Sequence, residues 1–267
     1  MKETIYIKDI ISCLEEVAPL HWQEDYDNAG LIVGNSTNEC TGALICLDVF
    51  SSTVKEAIEK NCNLIVSHHP FIFRGIKNLP YDSQITQILT LAIKNDIAIY
   101  SAHTNIDSSM MGVNDILGEK LGLENISPLE NSRFAKENNY LGSGAIGFLK
   151  GKIAVYDYLL NIKKSLGLHT IKYIGDSKKQ IQKVGYCGGA GSFLIEKAIE
   201  ENCDVFMSGD LKYHDFLSYE GQVILVDIGH FESENFIKQR FFDIISKKIR
   251  NFANLYISEQ TNRVKFL

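Results

Sequence analysis

Two adjacent histidines, His68 and His69, follow the apolar run Leu64-Ile65-Val66 in the segment Ser67-His68-His69-Pro70. Successive strand side chains point to opposite faces, so neighbouring histidines converge on one cation only where the strand ends and the backbone turns. Pro70 supplies that break. Two further apolar runs end in a histidine followed four positions on by an acid: Ile97 to Tyr100 leads to His103 and Asp107, and Val223 to Val226 leads to His230 and Glu234. Imidazole with carboxylate suits Zn, Mn, Fe or Ni, and the absence of a Cys ligand argues against a closed structural zinc site. The chemistry such a centre would supply is attack by a metal-bound hydroxide on an electrophilic carbon or phosphorus.

The elements that must position these residues repeat. An offset of 141 residues lays Gly42 to Ser67 over Lys183 to Ser208 without a gap, matching Cys46 with Cys187, Ala57-Ile58-Glu59 with Ala198-Ile199-Glu200, Asn61-Cys62 with Asn202-Cys203, and Ser67 with Ser208. Each copy reads as strand, helix, strand, and strands this apolar require a parallel sheet covered on both faces. At a different offset His103 to Asp107 matches His230 to Glu234, whereas His68-His69 is replaced by Gly209-Asp210. The pattern predicts an α/β fold of two similar, pseudo-symmetric half-domains forming one compact unit, with a metal cleft between them where α/β strand ends place ligands. Residues 1–123 would form the first half with His68, His69 and Asp107. The polar stretch 124–141 would connect it to a second half, 142–267, with His230 and Glu234. A helix is expected between Ile153 and Leu166 and a strand from Thr170 to Ile174. Gly142 to Gly147 matches the dinucleotide-binding fingerprint in form only, because no helix start follows it.

A chain of 267 residues buries a large core without staples, and its six cysteines show no C-x-x-C spacing, so they are expected as reduced thiols. No leader-like start and no membrane-length apolar run is visible, which predicts a soluble, cytoplasmic protein with no membrane partner. With 27 Lys+Arg against 33 Asp+Glu and the basic residues scattered, a nucleic-acid partner is disfavoured.

The chain resembles the GTP cyclohydrolase I type 2 family, also called Nif-three-like, along nearly its whole length. The resemblance is carried by Asp27-Asn28-Ala29-Gly30-Leu31, Ser67-His68-His69-Pro70 with Phe73 and Lys77 after it, Ala102 to Asp107, Cys187 to Ser192, Ser208-Gly209-Asp210 with Tyr213-His214, and Asp227 to Glu234. It departs at Tyr26, where the family pattern often has Trp. The resemblance implies two divalent metal ions per chain held by His68, His69, Asp107, His230 and Glu234, with the carboxylates bridging. It also implies a ring-shaped homohexamer, in a compact form without an inserted domain.

Around this set several roles stay open. His103 is either an added ligand or a hydrogen-bonding partner that orients Asp107, the second being favoured. His214 either shuttles a proton or is an ordinary surface histidine. Lys77 either steers a phosphate or acidic group toward the metals or is a solvated loop lysine. Gly188 to Ser192 either cradles an anion or is a tight turn. His21 and His169 read as structural. Two functions compete: a metal-dependent hydrolase acting on a small molecule, either nucleotide-like, such as GTP as the family name suggests, or a phosphoester, and a non-enzymatic metal-binding hexameric scaffold or metal-handling protein.

Overall fold

The computed structural model describes residues 4–132 and 142–267. In chain order its strands are β1 Gly30–Val33, β2 Ala43–Cys46, β3 Leu64–Ser67, β4 Ala98–Ser101, β5 Glu124–Asn131, β6 Gly142–Ala154, β7 Lys172–Ile174, β8 Gln180–Ala190, β9 Val205–Gly209, β10 Ile224–Asp227 and β11 Leu255–Ile257. The chain divides into two compact units, Met1–Ile106 with Ile237–Thr261, and Asp107–Phe236 with Asn262–Leu267.

The first unit carries a five-stranded sheet of order β1-β4-β3-β2-β11, parallel except for β1. Every residue of β2, β3 and β4 is buried, as expected of strands covered on both faces. Leu44, Cys46, Ile65 and Ile99 pack against Val54 and Ala57 of the helix Ser51–Glu59 and Ile88 and Ala92 of the helix Gln84–Lys94. The helix Ile237–Lys248 lies against β2, β11 and the helix Ile7–Glu15.

The second unit is a six-stranded mixed sheet of order β5-β6-β8-β9-β10-β7, in which β8, β9 and β10 are parallel. One apolar cluster joins Val184, Tyr186, Val205 and Met207 to Val155, Leu159 and Ile162 of the helix Val155–Ser165. Another joins Cys187, Phe206 and Leu225 to Ile195 and Ala198 of the helix Ile195–Glu200.

Both units contain the same four-stranded arrangement. An edge strand pairs antiparallel with the last of three parallel strands: β1 with β4 in one unit, β7 with β10 in the other. The registers agree, since Ala43, Leu44 and Ile45 face Leu64, Ile65 and Val66 while Val184, Gly185 and Tyr186 face Val205, Phe206 and Met207. Asn61 and Asn202 close their helices in the same left-handed conformation, at φ 54° and 55°. Each precedes a cysteine whose N–H returns to the carbonyl of Ala57 or Ala198. Asn is, after Gly, among the residues that tolerate this region.

Three expectations are corrected. Residues 124–131 are not a connection but the edge strand β5, whose mostly exposed face explains its polar sequence and whose edge position accommodates Pro128. Residues 133–141 of the expected connection lie outside the described residues. The division at 124–141 is replaced by chain crossings at Ile106/Asp107 and Phe236/Ile237, because the helix Ile237–Lys248 and β11 return to the first sheet. At the third strand, the registers Ser67↔Ser101 and Ser208↔Asp227 put His103 in the place of Gly229 and not of His230. The histidine motif of the second unit is thus one residue displaced, at a glycine with φ 83°.

Candidate metal centre

In the first unit β3 ends at Ser67, and the N–H groups of His68 and His69 still reach Cys46 and Leu47 carbonyls at 3.3 and 3.0 Å. Ser67 Oγ donates to the His69 carbonyl at 3.0 Å and shares a 2.8 Å hydrogen bond with Ser101 Oγ, holding the turn against β4. The two adjacent imidazoles thereby come to 4.8 Å between ring centroids, and His103, just past β4, adds its ring at 5.3 and 5.4 Å from them. His68, His69 and His103 each bring a ring nitrogen within 4.8 Å of the others, so the three could hold one cation.

Each Nδ1 is engaged by an oxygen that only accepts: His68 by the Ala102 carbonyl at 2.9 Å, His69 by Asp48 at 2.8 Å, and His103 by Asp27 at 2.8 Å. The Nδ1 must therefore carry hydrogen, and the neutral ring keeps its lone pair on Nε2. This is the pairing with which carboxylates and carbonyls orient metal-binding histidines. Asp27 has a fully covered side chain and also accepts Thr104 N–H at 3.0 Å and Thr104 Oγ1–H at 2.5 Å. Burial alone would raise its carboxyl; the hydrogen bonds from His103, Thr104 and Asn28 outweigh it and hold the pKa at about 2.

In the second unit His230 and Glu234 lie four residues apart on the helix His230–Glu234, hence on one face. His230 Nδ1 is 2.8 Å from Asp210, and its Nε2 is 3.0 Å from Glu234 Oε2. At that second place a proton and a cation are alternatives, since metal binding displaces ligand protons. Glu234 is 4% exposed and fits only because residue 189 is glycine, with φ 64°: a Cβ there would stand 2.2 Å from Glu234 Oε1. Asp107 ends the helix Thr104–Asp107, its carbonyl accepting Asn114 Nδ2 at 3.5 Å. Burial pushes the Cys187 thiol up, and the carboxylates of Asp107 and Glu234 add to the rise.

His103 thus has Asp27 as its carboxylate partner and stands in the imidazole group with His68 and His69. His214 is exposed at the start of the helix Tyr213–Ser218 with its ring against Tyr213. Lys77 is exposed in the segment between β3 and the helix Gln84–Lys94. The anion-cradle reading of Gly188 to Ser192 meets occupied donors, since the Gly188, Gly189 and Gly191 N–H groups are taken by Asn114, Ser233 and Ser208 side chains, and Gly188 to Ala190 form the irregular end of β8 where its register with β9 shifts. All six cysteines are free and buried. No helix among the described residues is long and apolar enough to cross a membrane. Sequence reasoning gave no role to Asp27, Asp48 and Asp210, the carboxylates that orient three of the four histidines; only Asp27 and Asp210 lay within motifs of the resemblance.

Comparison with known proteins agrees with this architecture. Two proteins named GTP cyclohydrolase 1 type 2 homolog are similar: one from Clostridium acetobutylicum, 33% identical over 86% of both chains, and one from Clostridium perfringens, 32% identical over 95% of this chain and 96% of the relative. The crystal structure of a Bacillus cereus protein related to NIF3 superposes with a TM-score of 0.92 at 25% identity, covering both chains completely. The Duf34/NIF3 (NGG1p interacting factor 3) family pattern matches residues 5–263, and this chain belongs to that family.

Proposed function

We propose that this protein is a metal-dependent hydrolase in which His68, His69, Asp107, His230 and Glu234 hold two divalent cations, acting on a small nucleotide-like or phosphoester substrate. The observation that carries the reading is the uniform engagement of the four histidines: each Nδ1 is fixed by an acceptor, so each ring is oriented in advance. Bound divalent ions would supply Lewis acidity and a readily deprotonated water. The chain's own contribution is orientation: Asp27, Asp48 and Asp210 hold rings in place and raise their basicity. Imidazole with carboxylate favours Zn, Mn, Fe or Ni. The name borne by the clostridial relatives, GTP cyclohydrolase 1 type 2 homolog, makes nucleotides the first substrates to try. On the family resemblance we also propose a homohexamer; light scattering that finds a stable monomer at micromolar concentration rejects it.

The test is anaerobic purification with metal analysis, then a turnover screen against nucleotides and phosphoesters with each metal restored. Two metals per chain and metal-dependent turnover are expected. Two metals without turnover on any substrate would favour a metal-binding scaffold, and a chain that retains no metal would remove the proposal.

A further inference from the structure

Tyr26 and Phe73 are large aromatic side chains left 62% and 41% exposed, and they stand side by side with ring centroids 6.2 Å apart. Phe73 in turn meets the His103 ring edge-on at 5.9 Å, so a row of rings runs from the surface to the imidazole group. Exposed aromatic rings forgo the burial that normally repays their size. Yet the backbone beneath these two is fastened. Asp27, next to Tyr26, holds His103 and Thr104, and Asn28 Nδ2 donates to the Ile72 carbonyl at 2.7 Å, tying the residue before Phe73 to the segment after Tyr26. These bonds fix where the rings stand without covering them. The segment from Pro70 to Tyr81 also carries exposed Arg74 and Lys77 and no acidic residue, in a chain of net charge −6.

We propose that Tyr26 and Phe73 form a stacking shelf for the planar heteroaromatic ring of a phosphorylated small molecule, a mononucleotide-like ligand, with Arg74 and Lys77 drawing its phosphate to the same edge of the fold. The proposal deepens the function above and rests on it only for what happens to the ligand once bound. Stacking on an aromatic side chain needs no particular base, because every heterocycle offers a π face, which is why no base-reading motif is visible in the sequence. A single-stranded nucleic acid would stack equally well but needs a basic track along its backbone, and the basic residues here are scattered.

Calorimetric titration of the full chain, metal-free and metal-loaded, with GMP and with ribose 5-phosphate tests this. GMP is expected to bind about tenfold more tightly than ribose 5-phosphate in both forms. Tyr26→Ala and Phe73→Leu, the latter keeping apolar bulk without a π face, should each cost GMP about tenfold while leaving ribose 5-phosphate unchanged. Tyr26→Trp should retain GMP binding. Melting temperature and metal content of the variants should match the parent. Equal affinity for the two probes, no binding of GMP, or undiminished GMP binding in both Tyr26→Ala and Phe73→Leu overturns the shelf. A chain that takes up no metal but still prefers GMP keeps the shelf and ends the hydrolase reading; one that loads metal without preferring GMP does the reverse.

Discussion

Replacing Gly189 by alanine should damage the second unit in two separable ways. The residue sits at φ 64°, where an L side chain costs about 1–2 kcal/mol. Its new Cβ would stand 2.2 Å from Glu234 Oε1 and 3.4 Å from His230 Cε1. Glu234 is 4% exposed and cannot simply swing into solvent, so relief must come from moving a packed side chain or the backbone, at about 1–3 kcal/mol. Gly122→Ala is the internal control: its φ is 71°, but nothing lies within 4 Å of the added Cβ, so it bears the backbone strain alone. The Gly189 variant should therefore lose about 2–5 kcal/mol and the Gly122 variant about 1–2 kcal/mol, giving the first roughly twice the fall in melting temperature. Scanning calorimetry measures the stabilities, and metal analysis after dialysis should show metal depleted in Gly189→Ala and retained in Gly122→Ala. Equal melting temperatures with equal metal content would mean that Glu234 does not depend on the space at residue 189.

Asp48→Asn and Asp210→Asn remove the charge that orients His69 and His230, and each should weaken metal binding about 10–100-fold in competition with a chelator. Glu234→Gln keeps shape but not charge and should lose one or both metals, whereas His21→Gln and His169→Gln, whose rings lie against Trp22 and Phe266, should keep wild-type content. Burial pushes the thiols of Cys62 and Cys203 up to about 11, so at pH 8 only about one molecule in 1,000 carries the thiolate at either. A thiol reagent at pH 8 should accordingly leave the native chain nearly unlabelled and label six cysteines after denaturation; rapid native labelling would show that these strands open.

The parts of this molecule that were legible in the sequence are those whose cause is local. Strands covered on both faces must be apolar throughout, so β2, β3, β4, β9 and β10 announce themselves, and the candidate histidines follow because they stand where those runs stop. The edge strand β5 was hidden because an exposed strand carries the polar residues of a loop, and β11 because its partner β2 lies some two hundred residues earlier. The supporting carboxylates were hidden for the same reason: His69, His103 and His230 bond to acids 21, 76 and 20 positions away, distances that only the folded sheet closes. The repeat nevertheless orders them. At the offset of 141 residues that aligns the two βαβ segments, the proposed ligand His69 corresponds to Asp210, the support of His230, and the support Asp48 corresponds to Gly189, the space that admits Glu234. One copy of the framework spends these two positions on an imidazole and the acid that orients it. The other has there an acid for a later histidine and room for Glu234, so corresponding positions carry a proposed ligand in one unit and a support in the other while the strand registers beneath stay the same.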